Sequence, residues 1–252
     1  MISVCIATYN GEKYIKQQLD SILCQLGAED EIVISDDGST DKTIEIIKEI
    51  NDPRIKIFYH KKEKNNYSGT LKTCFLVGRN SYNALKNASG DYIFWADQDD
   101  VWLEGKVAVF MQHLKSYDLV ISDCIIVDEN LKEIYSSHFQ KFGRPNGSIF
   151  QTIYKTKFLG CCLAFNRSIL SRALVFPTEP IMHDFWIGLL ACRYGTIKVE
   201  ERPYILYRRH SDNASVSIEK NNNSLIFKFQ YRFLLIKAFL KYICKKKKEG
   251  KH

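Results

Sequence analysis

The sequence has no C-x-x-C pair, no G-x-G-x-x-G turn, no G-x-x-x-x-G-K-[ST] loop and no uncharged run of bilayer length. Without the glycine-rich phosphate turns, a Rossmann dehydrogenase or a P-loop NTPase is not expected. The eight cysteines, at positions 5, 24, 74, 124, 161, 162, 192 and 244, follow no disulfide-framework spacing, and most lie in apolar runs such as Ile2-Ser3-Val4-Cys5-Ile6. They read as small reduced core residues, which suits a reducing, cytoplasmic compartment. Met1-Ile2-Ser3-Val4 enters a strand-like run without a charged n-region and h-region, so neither a secretion signal nor a membrane span is expected. Net charge is also scarce over most of the chain. The formal total is +7, yet Lys228 to Lys251 alone carries nine Lys/Arg against one Glu. The remainder is near neutral, which argues against a nucleic-acid-binding body.

What is present is an ordinary globular composition, 45% apolar and 26% charged over 252 residues, enough for a sizeable core. Apolar runs at Ile2 to Ala7, Glu31 to Ser35, Ile55 to Tyr59 and Tyr92 to Ala96 predict strands. Between them, helical spacing recurs at Ile15, Leu19, Ile22 and Leu26, at Ile44, Ile47 and Ile50, and over Leu71 to Ala88, with Asn10 as the expected N-cap of the first helix. This alternation predicts βαβ units on a mostly parallel sheet.

Two of these strands run straight into acids. The apolar run to Ala96 ends in Asp97-Gln98-Asp99-Asp100, and the second strand ends in Asp36-Asp37-Gly38-Ser39-Thr40-Asp41. Carboxylates cannot follow an apolar strand into a sheet without partners, so the chain emerges there, at strand C-terminal ends. Parallel strands share a direction, which places both clusters on the rim where open α/β sheets bind ligands. Such oxygens suit a hard divalent cation carrying phosphates, and Tyr9 in the first loop offers an aromatic face beside them. Either cluster alone would equally be a solvated acidic turn.

Ile6-Ala7-Thr8-Tyr9-Asn10-Gly11, Ser35-Asp36-Asp37-Gly38-Ser39-Thr40-Asp41, Ala88-Ser89-Gly90-Asp91-Tyr92-Ile93 and Ala96-Asp97-Gln98-Asp99-Asp100-Val101-Trp102 together resemble the family 2 inverting glycosyltransferases of GT-A fold, nearest the bacterial rhamnosyltransferase-like branch. The resemblance runs from about Ile2 to Ser215. It implies an α/β nucleotide-diphospho-sugar transferase fold with a mostly parallel central sheet flanked by helices. It implies a nucleotide pocket containing Ala7 and Tyr9, with Asp37 on the base or ribose, Asp36 beside it, and Arg79 in contact with the nucleotide. Asp97-Gln98-Asp99 becomes the D-x-D motif: Asp99 the ligand of Mg²⁺ or Mn²⁺, Asp97 facing the donor ribose or sugar, Asp100 a supporting residue. Gln98 and Trp102 read as loop filler and packing. Asp41 is expected to act locally at a helix N-terminus.

In the second half, Asp118 to Ser122 predicts a strand, Cys124 to Val127 with Lys132 to Tyr135 a hairpin, and Ser136 to Ser148 a loop on the acceptor side or a plain surface excursion. Gly160 interrupts the apolar run Thr156 to Phe165, permitting close backbone approach to a ligand or neighbour. Asp184 precedes the apolar run Phe185 to Cys192 and on its own is an N-cap; the resemblance makes it the catalytic base, following His183 where the family usually has Glu. In Tyr207-Arg208-Arg209-His210-Ser211, Arg209 is a candidate diphosphate contact and His210 a candidate metal ligand. Residues 1–217 are expected to form the catalytic domain, 1–103 its nucleotide-sugar-binding half and 104–217 its acceptor-binding half. Residues 218–252 form a tail: a linker at Glu219 to Ser224, then a helix from Leu225 with Lys237, Lys241, Lys245 and Lys248 opposite Leu235, Phe239, Tyr242 and Ile243. That helix either lies on an anionic membrane face or packs on the catalytic domain.

The expected activity is transfer of a sugar, with inversion, from dTDP-rhamnose or a UDP-hexose to a glycan or lipid-linked acceptor in cell-surface polysaccharide synthesis. The location is cytoplasmic, with peripheral contact to the inner membrane face where the tail binds lipid. Two alternatives stay open on the residues alone: a phosphoacceptor receiver-like signalling domain, since these also end a strand in an acidic pair, and a nucleotide-sugar-binding protein without turnover.

Overall fold

A computed structural model describes residues 1–211 and 225–249; the expected linker at 219–224 and the end of the resemblance at 212–215 lie outside them. The strands are β1 (Ile2–Thr8), β2 (Glu31–Asp36), β3 (Ile55–Tyr59), β4 (Tyr92–Asp97), β5 (Val101–Trp102), β6 (Leu119–Val127), β7 (Glu133–Tyr135), β8 (Leu163–Asn166) and β9 (Ile197–Arg208). The helices are α1 (Ile15–Leu23), α2 (Thr43–Glu49), α3 (Gly69–Asn87), α4 (Lys106–Leu114), α5 (His138–Phe142), α6 (Ile149–Tyr154), α7 (Arg167–Ala173), α8 (His183–Tyr194) and α9 (Leu225–Glu249).

One sheet runs β3-β2-β1-β4-β8-β6-β9-β5, with β7 added on β6. Its first four strands are parallel, as the βαβ reading predicts. Strand β8 then enters antiparallel to both β4 and β6, β9 runs parallel to β6, and β5 antiparallel to β9, so the sheet as a whole is mixed. The continuous apolar runs are explained by burial on both faces: Val4, Cys5, Ile6, Ile32, Val33, Ile34, Ile93 and Phe94 are all fully buried. Each such side chain contributes roughly 1.5–3 kcal/mol over its exposed state.

The strand order places the site. From β1 the chain moves outward to β2 and β3, then returns to lay β4 on the other side of β1. The crevice at such a reversal, outside the strand carboxyl ends, is where open α/β sheets take ligands. Pairing fixes the rim in register: Thr8 lies opposite Asp36 and Ala7 opposite Asp97, so both acidic clusters flank the end of β1.

Several local expectations are corrected. The first helix is capped at Tyr14, not Asn10, which instead sits at φ +48 and accepts a hydrogen bond from Thr40 N at 2.9 Å. The expected strand at Asp118 to Ser122 and the first arm of the hairpin are one strand, β6, because its partner β9 pairs along its whole length. The segment Ser136 to Ser148 contains α5, started by Ser137 and tied to the sheet where Asp123 accepts from Phe139 N at 2.9 Å. The sequence leaves both readings open for the helix from Leu225, and its apolar stripe packs on the rest of the chain: Leu235, Ala238, Phe239 and Tyr242 are buried in the core.

Candidate active site

A cleft of about 410 Å³ opens at the reversal between β1 and β4, a size suited to a small ligand. Its wall includes Ala7, Tyr9, Asp37, Asp97, Asp99 and Asp184. Six of the ten residues singled out from sequence therefore share one cavity. Asp36, Arg79, Arg209 and His210 do not line it.

Each of these four has another place. Asp36 is buried and organises the β2 turn: its carboxylate accepts from Gly38 N and Ser39 N, both at 2.9 Å, and from the Ser39 and Thr8 hydroxyls. Asp41 acts locally as expected, accepting from Thr43 N at 3.0 Å and from Glu12 N at 3.1 Å. Arg79 is directed to Glu63 at 3.4 Å and over the Phe75 ring. Arg209 reaches the Tyr207 hydroxyl at 3.0 Å, and Tyr207 lines the cleft in its stead. His210 stands behind Asp99, its Nε2 2.8 Å from Asp99 Oδ2.

The wall around Tyr9 and Asp37 is braced by residues that sequence patterns passed over. Gln98, expected as filler, pairs with the backbone of Tyr9 in both directions: its Oε1 accepts from Tyr9 N at 2.9 Å and its Nε2 donates to Tyr9 O at 3.1 Å. Tyr9 is left half exposed, under the Lys62 ammonium 5.0 Å from its ring centre. Asp37 is held by His60 at 2.8 Å. Buried Asn80 donates to Thr8 O at 3.1 Å and accepts from the Ser35 hydroxyl at 2.6 Å, locking the ends of β1 and β2. A lone Gln or Asn carries no charge pattern, so its partners are visible only once the strands are side by side.

The acidic loop is clamped by β9. Val101 pairs with Leu206, and buried Arg208 donates through its backbone N to Asp100 Oδ1 at 2.9 Å and through its guanidinium to Asp99 O, Glu129 O and Gln17 Oε1 at 2.6–2.7 Å. Arg208, not Arg209, is thus the cation built into this loop. Trp95 Nε1 donates to Asp97 Oδ1 at 3.1 Å and fixes its direction. Burial and the neighbouring Asp99 charge push the Asp97 carboxyl up to about 7, and burial with the Asp99 and Asp97 charges holds Asp100 well above the usual carboxylate range. Crowded carboxylates of this kind are relieved by a cation.

Two groupings compete for that cation. Asp97, Asp100 and Cys161 bring ligand atoms within 4.8 Å of one another. Burial, however, pushes the Cys161 thiol far up, so it stays protonated, and a soft sulfur does not suit a hard ion. Asp99 lines the cleft, with His210 behind it 2.8 Å from its Oδ2, and an oxygen placed so fits Mn²⁺ or Mg²⁺ with waters and phosphate oxygens completing the shell.

Asp184 lines the same cleft, close enough for its charge to raise the Asp97 carboxyl further. It is the second residue of α8, whose N-cap is Met182, so the N-cap expectation is displaced by two residues. Its Oδ1 accepts from Phe185 N at 2.8 Å, but burial outweighs that bond and pushes the carboxyl up to about 7. His183 beneath it is buried against Trp95, ring centres 4.0 Å apart, with Nδ1 3.1 Å from the Ser81 hydroxyl. Burial pushes its imidazole down to about 3, so it is neutral at physiological pH. Gly160 makes the close approach anticipated for it: a Cβ there would lie 2.7 Å from His183 Nε2.

The family model for glycosyl transferase family 2 matches residues 3–174, which include every strand of the cleft's donor side. The chain belongs to this family. It is 28% identical over 229 residues, 82% of this chain and 72% of the relative, to the dTDP-rhamnosyl transferase RfbG of Shigella flexneri. It is 31% identical over 228 residues, 87% of this chain and 69% of the relative, to the Campylobacter jejuni GalNAc(5)-diNAcBac-PP-undecaprenol beta-1,3-glucosyltransferase. The fold matches S. aureus TarS 1-349 in complex with UDP-GlcNAc at a TM-score of 0.63 and 23% identity, covering 86% of this chain and 61% of that one. Glucosyl-3-phosphoglycerate synthase from Mycobacterium tuberculosis, in complex with Mn²⁺, UDP and glucosyl-3-phosphoglycerate, matches at 0.58 and 18% identity over 96% of this chain. These likenesses establish the GT-A architecture, and the chain spans about three fifths of the TarS chain it resembles. Family membership leaves the receiver-domain alternative without support. Among the described residues, no helix is long and apolar enough to cross a membrane.

Proposed function

We propose that the protein is a metal-dependent, inverting glycosyltransferase that takes a sugar from a nucleoside diphosphate to a hydroxyl of a glycan or lipid-linked acceptor. The observation that carries this reading is the shared cleft, in which a carboxyl tuned to about 7 at Asp184 faces the Asp97/Asp99 rim. Tyr9 offers a stacking face for the base, and Asp37, held by His60, accepts from base or ribose hydroxyl and amide groups. Asp97 lies on the sugar side. Asp99 and His210 would hold the divalent cation, which supplies positive charge to the departing diphosphate.

Asp184 removes the acceptor hydroxyl's proton as its oxygen attacks the anomeric carbon from the face opposite the leaving diphosphate. The bond to the diphosphate breaks with oxocarbenium character at the sugar, the electron pair leaves on the phosphate oxygen, and configuration inverts in one displacement. A base with a pKa near neutral is matched to this proton transfer, being ionised at working pH and still basic enough to accept a proton.

Relatives bearing rhamnosyl and glucosyl names make dTDP-rhamnose and UDP-hexoses the donors to assay, with undecaprenyl-diphosphate glycans among the acceptors. The decisive experiment incubates purified protein with each nucleotide sugar, Mn²⁺ and a panel of acceptors, reading nucleoside diphosphate release and the anomeric configuration of the product by NMR. Retention of configuration would sink the single-displacement mechanism. Binding of nucleotide sugar without turnover on any acceptor would favour the non-catalytic alternative.

A further inference from the structure

Helix α9 has two apolar faces, and the body of the protein covers one of them. Tyr231, Leu235, Ala238 and Tyr242 are buried at a 4-3-4 spacing. On the opposite side Ile226, Phe229, Phe233, Ile236 and Leu240 follow a 3-4-3-4 spacing with exposures of 71%, 69%, 66%, 39% and 55%. Successive residues on a helix advance by 100°, so these two rows lie roughly opposite one another. Beside it on α6, Phe150 and Tyr154 are 86% and 71% exposed, and Arg232 joins the two helices by donating to Tyr154 O at 2.6–2.9 Å. A contiguous exposed apolar patch of this extent marks an interaction surface.

We propose that this α9/α6 face seats the protein on an anionic lipid surface. Charge selects the partner. No Asp or Glu occurs between Leu225 and Lys248, while exposed Lys237 and Lys245 run along one flank of the row and Arg232 along the other; Lys241, on the same flank as Lys237, is paired with Glu179 at 2.6 Å. A helix with aromatic and aliphatic side chains on one stripe and lysines beside it lies in the headgroup plane, and its cations are drawn to anionic lipid. A second copy of the chain docked on the same row would bring lysines against lysines with no acidic counterpart on the helix. The membrane face is accordingly not the one opposite Leu235, Phe239 and Tyr242 as a pure lysine stripe, but the apolar row between the cations.

The same helix carries the site. The Tyr231 hydroxyl accepts from Met182 N at 3.0 Å and its ring meets Phe185 edge-on at 5.1 Å, so α9 braces both sides of Asp184. About one helix diameter, roughly 10 Å, separates that buried face from the lipid-facing one. A lipid-linked acceptor would find the base at the membrane boundary; this purpose rests on the proposed function, whereas the face itself rests on exposure and charge.

The test is flotation of the full chain with vesicles of phosphatidylglycerol or of phosphatidylcholine. Co-flotation with phosphatidylglycerol is expected, and weak binding to phosphatidylcholine. The double substitution Phe229→Glu and Phe233→Glu should lower binding at least about tenfold, and Lys237→Glu with Lys245→Glu about fivefold per charge lost at low salt, with melting temperature and UDP binding unchanged. Failure of the chain to float with phosphatidylglycerol overturns the proposal. So does light scattering that shows a dimer split by the Phe229/Phe233 change without vesicle binding, which assigns the row to a second copy. A chain that floats but transfers no sugar keeps the lipid face and refutes the reaction instead.

Discussion

At the residue scale, Asp184 as the proposed base would couple stability to activity. Burial favours its neutral form, so the folded chain binds this proton more tightly than the unfolded chain does, and its pKa is raised from 3.8 to about 7. The stability it contributes is full below about pH 4 and is lost as pH rises through about 7. Asp184→Asn, neutral at every pH, should therefore be more stable than the natural protein at pH 8, by about 2 kcal/mol because the open cleft still wets the carboxyl, and nearly equal to it at pH 4. Calorimetry at the two pH values checks this, and an Asn variant less stable at pH 8 would contradict the burial argument. Activity moves the opposite way. Turnover should rise about tenfold per pH unit below 7 and level off above it, and Asp184→Asn should lose roughly 10²–10⁴-fold in kcat with donor binding retained. The acids were legible in the sequence because two clusters end parallel strands on one rim; either alone would equally be a turn, which is the place Asp36 takes. Arg208, Gln98 and Asn80 were not, since each works through backbone atoms contributed by strands distant in sequence.

At the element scale, Asp184, the proposed base, is positioned by a close approach of α3 that leaves no room for a side chain. Gly78 on α3 faces the carbonyl of Ile181, and a Cβ there would stand 2.3 Å from that oxygen. Gly78→Ala must push α3 away from the segment that carries Met182, His183 and Asp184. The expected cost is about 1–3 kcal/mol in stability, with a fall in kcat larger than any change in donor affinity. Denaturant titration and steady-state kinetics read the two effects separately. Gln98→Ala tests the opposite side: loss of both bonds to Tyr9 should raise the donor KM several-fold and leave kcat nearly unchanged. Elements with a single strong period, β1 to β4 and α3, were readable in the chain. The N-terminus of α1 was not, because Asn10 serves a tertiary contact to Thr40 in place of a cap, and β6 was divided in the reading because Asp123 and its neighbours look like a break until β9 is placed alongside.

At the scale of the whole molecule, the reversal of strand order between β1 and β4 explains why residues from Ala7 to Tyr207 meet in one cleft. Alternating strands and helices announced the parallel half; the antiparallel insertion of β8 was hidden, since strand direction in a mixed sheet is set by long-range packing. A cleft assembled from both halves makes donor binding a reporter of the entire fold. A ligand that binds only the folded state at one hundred times its dissociation constant adds about 2.7 kcal/mol. For a chain of this length that corresponds to a rise of about 5–10 °C in melting temperature. UDP and dTDP, each with and without Mn²⁺, should separate into one pair that shifts strongly only when both components are present and one that shifts little, and the responding nucleotide names the donor class. Asp99→Asn should abolish the Mn²⁺-dependent part while leaving the melting temperature without ligand within a degree or two, because an Asn amide oxygen can still accept from His210 and the backbone carbonyl held by Arg208 is untouched by the change. An Asp99→Asn protein that keeps the full cation-dependent shift would move the cation to half-buried Asp97 and buried Asp100, where Asp100→Asn would then be the variant that loses it.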